Sequence, residues 1–287
     1  MNSSLTNKQI FTMKMNHIMF ISCLLMGLTS FAQNSERIPV LDGVVERTLI
    51  HQKAPLAYEP VREADVSWEK KVWRVLDVRE KMNLAFTYPE RPFFDILQEA
   101  IATGEITVYD GEMDDFSMPL SPEEALSKGV IIDTMSILDP DTFTEILKPI
   151  RHEVDYTQIK RFRTKEIWYF DEESARMKVR LLGIAPIMEV LDDNGNFKYE
   201  QVMFWAYYPQ LRQVLAGEQA PHISNDANPM TWEDVLEMRY FSSYVYKASN
   251  IRDERIQDYI AGSRDRLLEA EKLEGEIFNL EQDLWSY

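Results

Sequence analysis

The side chains that could do chemistry in this chain are carboxylates in two clusters, Asp110-Gly111-Glu112-Met113-Asp114-Asp115 and Asp171-Glu172-Glu173. Two carboxylates flanking a bond can act as general acid and base, as in glycoside hydrolysis, when their separation suits the reaction. With 48 Asp and Glu in 287 residues such pairs also arise by chance, and chain spacing alone sets no distance between them. His51, His152 and His222 stand far apart, without the His-Glu-x-x-His or comparable spacing of a zinc site. Asp192, Asn194 and Asn196 alternate as calcium ligands do. Gly195, however, comes at the fourth position rather than the sixth, and Met203 occupies the place of the bidentate glutamate. That segment reads instead as a tight hairpin turn, Asp193-Asn194-Gly195. The chain has only ten glycines and neither a phosphate-cradling loop nor a Gly-x-Ser-x-Gly elbow. No catalytic residue, metal or cofactor is expected.

The first 32 residues read as an address. Lys8 and Lys14 precede an apolar run from Ile18 to Leu28, and Ser30-Phe31-Ala32 closes it before Gln33. This is the pattern of a secretory signal peptide cleaved after Ala32, and the run is shorter than the roughly 18 residues that a membrane span needs. Cys23, the single cysteine, lies inside the run, so the mature chain is expected to contain no thiol and no disulfide. A lipoprotein reading would lipidate Cys23, which instead sits embedded in hydrophobic sequence. The formal net charge of −17 becomes more negative once the two leader lysines are lost, which disfavours nucleic acid and anionic lipid as partners. Solubility explains such a charge, and so does a cationic partner.

From Gln33 to Pro60 the chain carries Pro39, Pro55 and Pro60 and no sustained periodicity, and reads as an extended arm, either free or ordered against a neighbouring subunit. Residues 63–83 place Trp68, Val72, Val75, Leu76 and Arg79 at helical steps, and a second helix is expected after Pro92, ending near Gly104. A strand at Ile106 to Tyr109 follows, then a helix opened by Ser121-Pro122-Glu123-Glu124 and ended by Gly129, and a further helix over Asp141 to Lys148. Ile159 to Phe170, Met177 to Ala185 and Lys198 to Tyr208 read as a meander of strands, the last stopping at Pro209. Thr231, with Asp234 three residues on, opens a long helix or helix pair running to the end, where Leu273, Ile277, Leu280 and Leu284 form an amphipathic stripe. The fold class is α+β: an antiparallel meander sheet with flanking helices, an N-terminal lobe at 61–150 and a C-terminal lobe at 151–287. Phe86-Thr87-Tyr88-Pro89 before Phe93 faintly echoes Trp205-Ala206-Tyr207-Tyr208-Pro209 before Trp232. Duplicated lobes and chance are both open readings of that echo.

Aromatic residues cluster at Trp168-Tyr169-Phe170, Phe204 to Tyr208 and Trp232 to Tyr246. They can be core, subunit interface or a carbohydrate-stacking platform. Together with Trp68 to Asn83, Gly104 to Tyr109, Lys165 to Asp171, Val179 to Pro186, Lys247 to Asn250 and Glu281 to Trp285, these stretches resemble the GldN/PorN family, and the resemblance covers nearly all of the chain after about residue 60. It implies a periplasmic, non-enzymatic ring component of the Bacteroidota type IX secretion and gliding machinery. The implied partners are copies of itself, a GldK/PorK-like outer-membrane lipoprotein and a GldM/PorM-like periplasmic shaft driven by an inner-membrane motor. Interface anchors are expected among Trp205, Tyr207, Trp232 and Trp285. A periplasmic carbohydrate- or peptidoglycan-binding module is the alternative function.

Overall fold

The computed structural model describes residues 52–128, 130–138, 145–152, 154, 156–191, 196–222 and 230–285, which belong to one unit spanning Thr48–Tyr287. The strands are β1 (Val66–Asp77), β2 (Val108–Asp110), β3 (Pro119–Leu120), β4 (Ile131–Leu138), β5 (Glu145–His152), β6 (Ile159–Asp171), β7 (Arg176–Leu191), β8 (Phe197–Val202), β9 (Phe204–Tyr207) and β10 (Tyr244–Ala248). The helices are α1 (Phe93–Ala102), α2 (Pro122–Ser127), α3 (Tyr208–Gly217), α4 (Trp232–Glu237), α5 (Ile256–Tyr259) and α6 (Ser263–Trp285).

Eight strands form one antiparallel sheet in the order β10-β1-β6-β7-β9-β2-β3, with β8 paired to the far end of β7. The α+β class is as expected, and the sheet draws on both halves of the chain: β1 lies between β6 and β10, while β2 joins β9. The two segments that echo each other in sequence are unlike before their prolines, since Lys81–Thr87 is a 3-10 turn and Phe204–Tyr207 a strand.

Several local expectations are corrected. Residues 63–83 are mainly strand β1, not a helix. Val72 to Leu76 are buried without interruption because β1 is a central strand covered on both faces. A continuous apolar run in such a strand contains helix-like spacings by accident. Asp141 to Lys148 does not form the expected helix: Glu145–His152 is β5, hydrogen-bonded to β4, a strand that the sequence reading passed over. Pro149 stands opposite Thr134, a position tolerated because β5 has an open edge. The strand expected over Lys198 to Tyr208 is two strands broken at Met203, and Pro209 sits in the first turn of α3, where its missing N–H costs nothing. The long terminal helix is interrupted between Glu237 and Ser263 by β10 and α5.

Other local signals lead to the elements they predict. Ser121 Oγ accepts from the Glu124 amide while Glu124 Oε2 accepts from the Ser121 amide, and Thr231 and Asp234 do the same at α4. Helix α1 begins after Pro92 and is followed by Gly104 at φ +74°. It buries Phe93, Phe94, Ile96, Leu97, Ala100 and Ile101 in the main core with Leu76, Phe162, Ile184, Leu211 and Trp232. The turn at Asp193-Asn194-Gly195, the stop at Gly129 and everything before Gln52 lie outside the described residues.

Candidate interaction surface

Adjacent residues of β1 point to opposite faces of the sheet, and two different clusters result. On one face Trp73 packs with Ala185 and Trp205, with Tyr109, Phe116, Val202 and Tyr246 around them. The loop between β2 and β3 closes this cluster. Phe116, at φ +59°, lays its ring edge-on to Tyr109, Trp205 and Tyr207 at 5.6, 6.3 and 5.3 Å. Its seat is Gly183, where an added Cβ would come within 2.7 Å of the ring. Lys165 and Lys247 lie over the Trp73 ring at 5.4 and 4.5 Å. Asp114 of the loop binds Lys165 through its carbonyl and carboxylate oxygens, while Asp253 takes Lys247 at 2.7 Å. Cationic head groups thus bury their stems on aromatic surface and find acceptors at the rim.

On the other face, Glu166 of β6 is completely buried. Its carboxylate accepts from the Trp168 indole at 3.0 Å, pairs with Arg239 at 2.8 Å, and lies 3.4 Å from Nε of Arg74, an ion-pair distance without hydrogen-bond geometry. Arg74 also donates to Glu274 of α6 at 2.8 Å, so the network ties β1, β6 and the end of α4 to the terminal helix. Arg239 has φ +55° and closes α4: its amide bonds to the Leu236 carbonyl and the Tyr240 amide to that of Val235. This is the Schellman arrangement, with arginine where glycine is usual. A strained backbone at a bulky residue requires compensation from its surroundings. Here the guanidinium supplies it through Glu166 and the rings of Trp168 and Phe241, each 5.3 Å away. Sequence reasoning missed this centre. The available signal was a glutamate alternating with Phe162, Thr164, Trp168 and Phe170 on one register of the strand, while the lysines and arginines of that stretch fall mostly on the other.

The described end of the arm lies on its own chain. Tyr58 places its ring 4.0 Å from the Arg212 guanidinium and 4.9 Å from that of Arg180, and its hydroxyl donates to Glu237 at 2.6 Å. Burial, and then the hydrogen bond to Glu237, push the phenol above its usual pKa. Glu59 accepts from Lys178 at 2.7 Å, Lys53 pairs with Asp234, and the Leu56 carbonyl accepts from Arg212 at 2.6 Å. Residues 52–60 are therefore held without a neighbouring subunit, because paired charges and one aromatic ring replace the apolar periodicity that the segment lacks. Tyr58→Ala should free this stretch: losing a hydrogen bond to a charged acceptor costs about 1.5–3 kcal/mol, so trypsin should cut at Lys53 roughly tenfold faster or more. Unchanged cleavage in a time course would show that Tyr58 is not the clasp.

The aspartates of the two acidic clusters have structural partners, while Glu112, Glu172 and Glu173 are exposed. Asp110 pairs with Lys128, Asp114 with Lys165, and Asp115 with Ser117. Asp171 accepts from Ser174 at 2.6 Å and pairs with Lys178 at 2.8 Å; Lys178 first and Ser174 second lower it to a pKa of about 2. Since an unfolded aspartate titrates near about 3.9, this pair contributes stability that is complete above that pH and lost as pH falls toward 2. Asp171→Asn should flatten the acid side of the stability curve between those limits, as measured by urea unfolding at stepped pH. An unaltered slope would remove the pair from the acid response. Among the described residues no group of three or more His, Cys, Asp or Glu is placed to hold a metal ion. No helix there is long and apolar enough to cross a membrane.

Of the expected anchors, Trp232 is 0% and Trp205 2% exposed, in separate clusters, and Tyr207 is half-buried against Phe116. Trp285 closes α6. Trp205 and Tyr207 share Phe116 as a partner, while Trp232 lies in the other cluster. Apolar side chains that face outward include Leu267, Leu268 and Phe278 of α6, Ile251 in the turn after β10, Leu84 and Phe197.

The fold is an antiparallel α+β scaffold whose buried charges fasten its own elements together. The chain belongs to the family of gliding motility associated protein GldN, which matches residues 61–286. That family makes it a component of gliding motility and type IX secretion, a structural part rather than a member of an enzyme family. No curated protein matches the chain.

Proposed function

We propose that the mature chain starts at Gln33 and works in the periplasm, at the inner face of the outer membrane, as a subunit of a ring. In this reading it is joined to a GldK/PorK-like lipoprotein and to a GldM/PorM-like shaft, and transmits motion from that shaft to the secretion and gliding apparatus. The family match across residues 61–286 carries the proposal. The structure supports it in two respects. The buried ion pairs and the tethered segment at 52–60 make a rigid unit suited to bearing load, and outward-facing Leu267, Leu268 and Phe278 leave apolar surface on α6 for a partner. A glycan-stacking platform, by contrast, needs aromatic faces open to solvent, and Phe204 and Trp205 are 1% and 2% exposed.

The test is detergent extraction of the outer membrane, pull-down through this chain, and identification of what accompanies it. Ring-shaped particles containing an outer-membrane lipoprotein are expected. Recovery of a free monomer that is retained on peptidoglycan would replace this reading with the glycan-binding one.

A further inference from the structure

A cavity of ≈ 360 Å³ lies between the β1, β6 and β10 surface and the α5–α6 corner. Three arginines line it, with Glu200 as the single carboxylate in its wall. Arg161 is already engaged by Asp77 at 3.2 Å and by Glu200. Arg266 donates to the Ile260 and Ala261 carbonyls, both at 2.8 Å, and this closes the corner. Arg163 differs. Its guanidinium lies over the Tyr246 ring at 5.0 Å, it has no carboxylate partner among the described residues, and its Nε is buried without a hydrogen-bond partner. Neither Arg163 nor Arg266 is neutralised, so the cavity is locally cationic on a chain of net charge −17.

A buried guanidinium nitrogen without an acceptor costs stability; Arg163 is half-buried with only its Nε enclosed, so its two outer nitrogens are the ones a ligand can reach. The planar fork of arginine matches a carboxylate in two parallel hydrogen bonds. Tyr246 remains a neutral donor beside it, since burial raises its pKa to about 12. Gln257, Ser263 and Tyr244 add polar groups to the wall, and Val75, Val245, Ile256 and Leu267 form its apolar part; Leu267 is 56% exposed at the mouth, next to Leu268 at 52%. A small anion would leave these leucines wet, whereas a peptide covers them. The negative field of the whole chain repels polyanions such as nucleic acid or an anionic membrane, so capture depends on the local fork and favours a short acidic segment.

We propose that this pocket binds an acidic segment of a partner protein, with one carboxylate on Arg163 and an adjoining apolar side chain against Ile256 and Leu267. The family assignment specifies no ligand for this pocket; its mouth shares Leu267 and Leu268 with the α6 surface offered above to a partner, and the peptide test below reads the pocket by itself, independently of ring formation.

The test uses the full chain and two labelled peptides, acetyl-Leu-Glu-Trp-Glu-Leu-amide and its glutamine counterpart, followed by fluorescence anisotropy. Saturable binding of the glutamate peptide is expected, with the glutamine peptide weaker by about tenfold or more, the worth of a charge-assisted hydrogen bond. Arg163→Met keeps the aliphatic stem over Tyr246 and should lose about as much affinity, while its thermal midpoint stays level or rises because an unsatisfied donor is gone. Should that variant fold poorly, Tyr246→Phe, which keeps the ring and removes one donor, is read in its place and should bind a few-fold more weakly. Equal binding of the two peptides, no saturable binding of either, or undiminished affinity in the variant that is read would overturn the proposal. Displacement of the glutamate peptide by an equal concentration of inorganic phosphate would also overturn it, by showing a site for any small oxyanion.

Discussion

Glu166→Ala should lower the unfolding free energy by about 3–5 kcal/mol, the usual cost of breaking a buried ion pair by removing one partner. The fully buried carboxylate serves Arg74, Arg239 and the Trp168 indole at once. Without it Arg74, at 3% exposure, keeps only the solvent-facing Glu274 and a long contact to the Ser243 hydroxyl at 3.5 Å, and Arg239 loses its main compensation for a left-handed backbone. Hydrogen exchange should therefore rise first in α4 and α6, the elements that the network joins to the sheet. Glu274→Ala is the control. Its side chain is 53% exposed, so its loss should cost less than about 1 kcal/mol. Similar small effects from the two substitutions, measured by urea unfolding, would show that the buried centre does not hold the fold together.

Trp232→Ala should cost about 3–5 kcal/mol as well, by a different route, because it leaves a cavity that its neighbours fill only in part. The ring sits 4.7 Å from that of Phe93 and 4.8 Å from that of Phe86, and both phenylalanines also pack on Phe162 of β6. Trp232 thus fixes α4 and α1 against the sheet. Its Nε1 is buried without a hydrogen-bond partner, so Trp232→Phe removes an unsatisfied donor along with some volume and should cost much less, about 1 kcal/mol. An alanine variant of near wild-type stability would mean that the core collapses around the gap. The result also governs any interaction study: loss of partner binding in Trp232→Ala counts as interface evidence only if the variant is folded.

Local signals in this chain were legible where a short-range interaction decides the conformation. Ser121 with Glu124, and Thr231 with Asp234, start helices because each pair satisfies backbone amides within one turn. Ile159 to Phe170 and Met177 to Ala185 are strands because β-branched and aromatic residues suit a pleated surface, and the family resemblance rested on these same aromatic stretches. What failed was the reading of runs whose partners lie far away in sequence. Val72, Val75 and Leu76 fall at helical steps, and nothing local says that a strand about 90 residues later and another more than 160 later will pair with β1 on its two edges. The expected helix at 141–148 fails for the same reason, since its described part, Glu145 to Lys148, is strand through its register with β4.

The candidate site divides along the same line. Residue types by themselves gave the acidic charge, the α+β class and the aromatic blocks of the GldN kind. Only the tertiary structure decided which aromatic and charged residues are consumed. Trp205 and Trp232, read as anchors, are spent on packing, and Lys165, Arg74 and Arg212 on buried pairs. Arg163, which the sequence does not set apart, keeps an unpartnered nitrogen beside a cavity. The physical reason is that hydrophobicity and charge are properties of a residue, whereas desolvation and pairing are properties of a place. In a β-rich fold that place is set by strand register over long sequence separations.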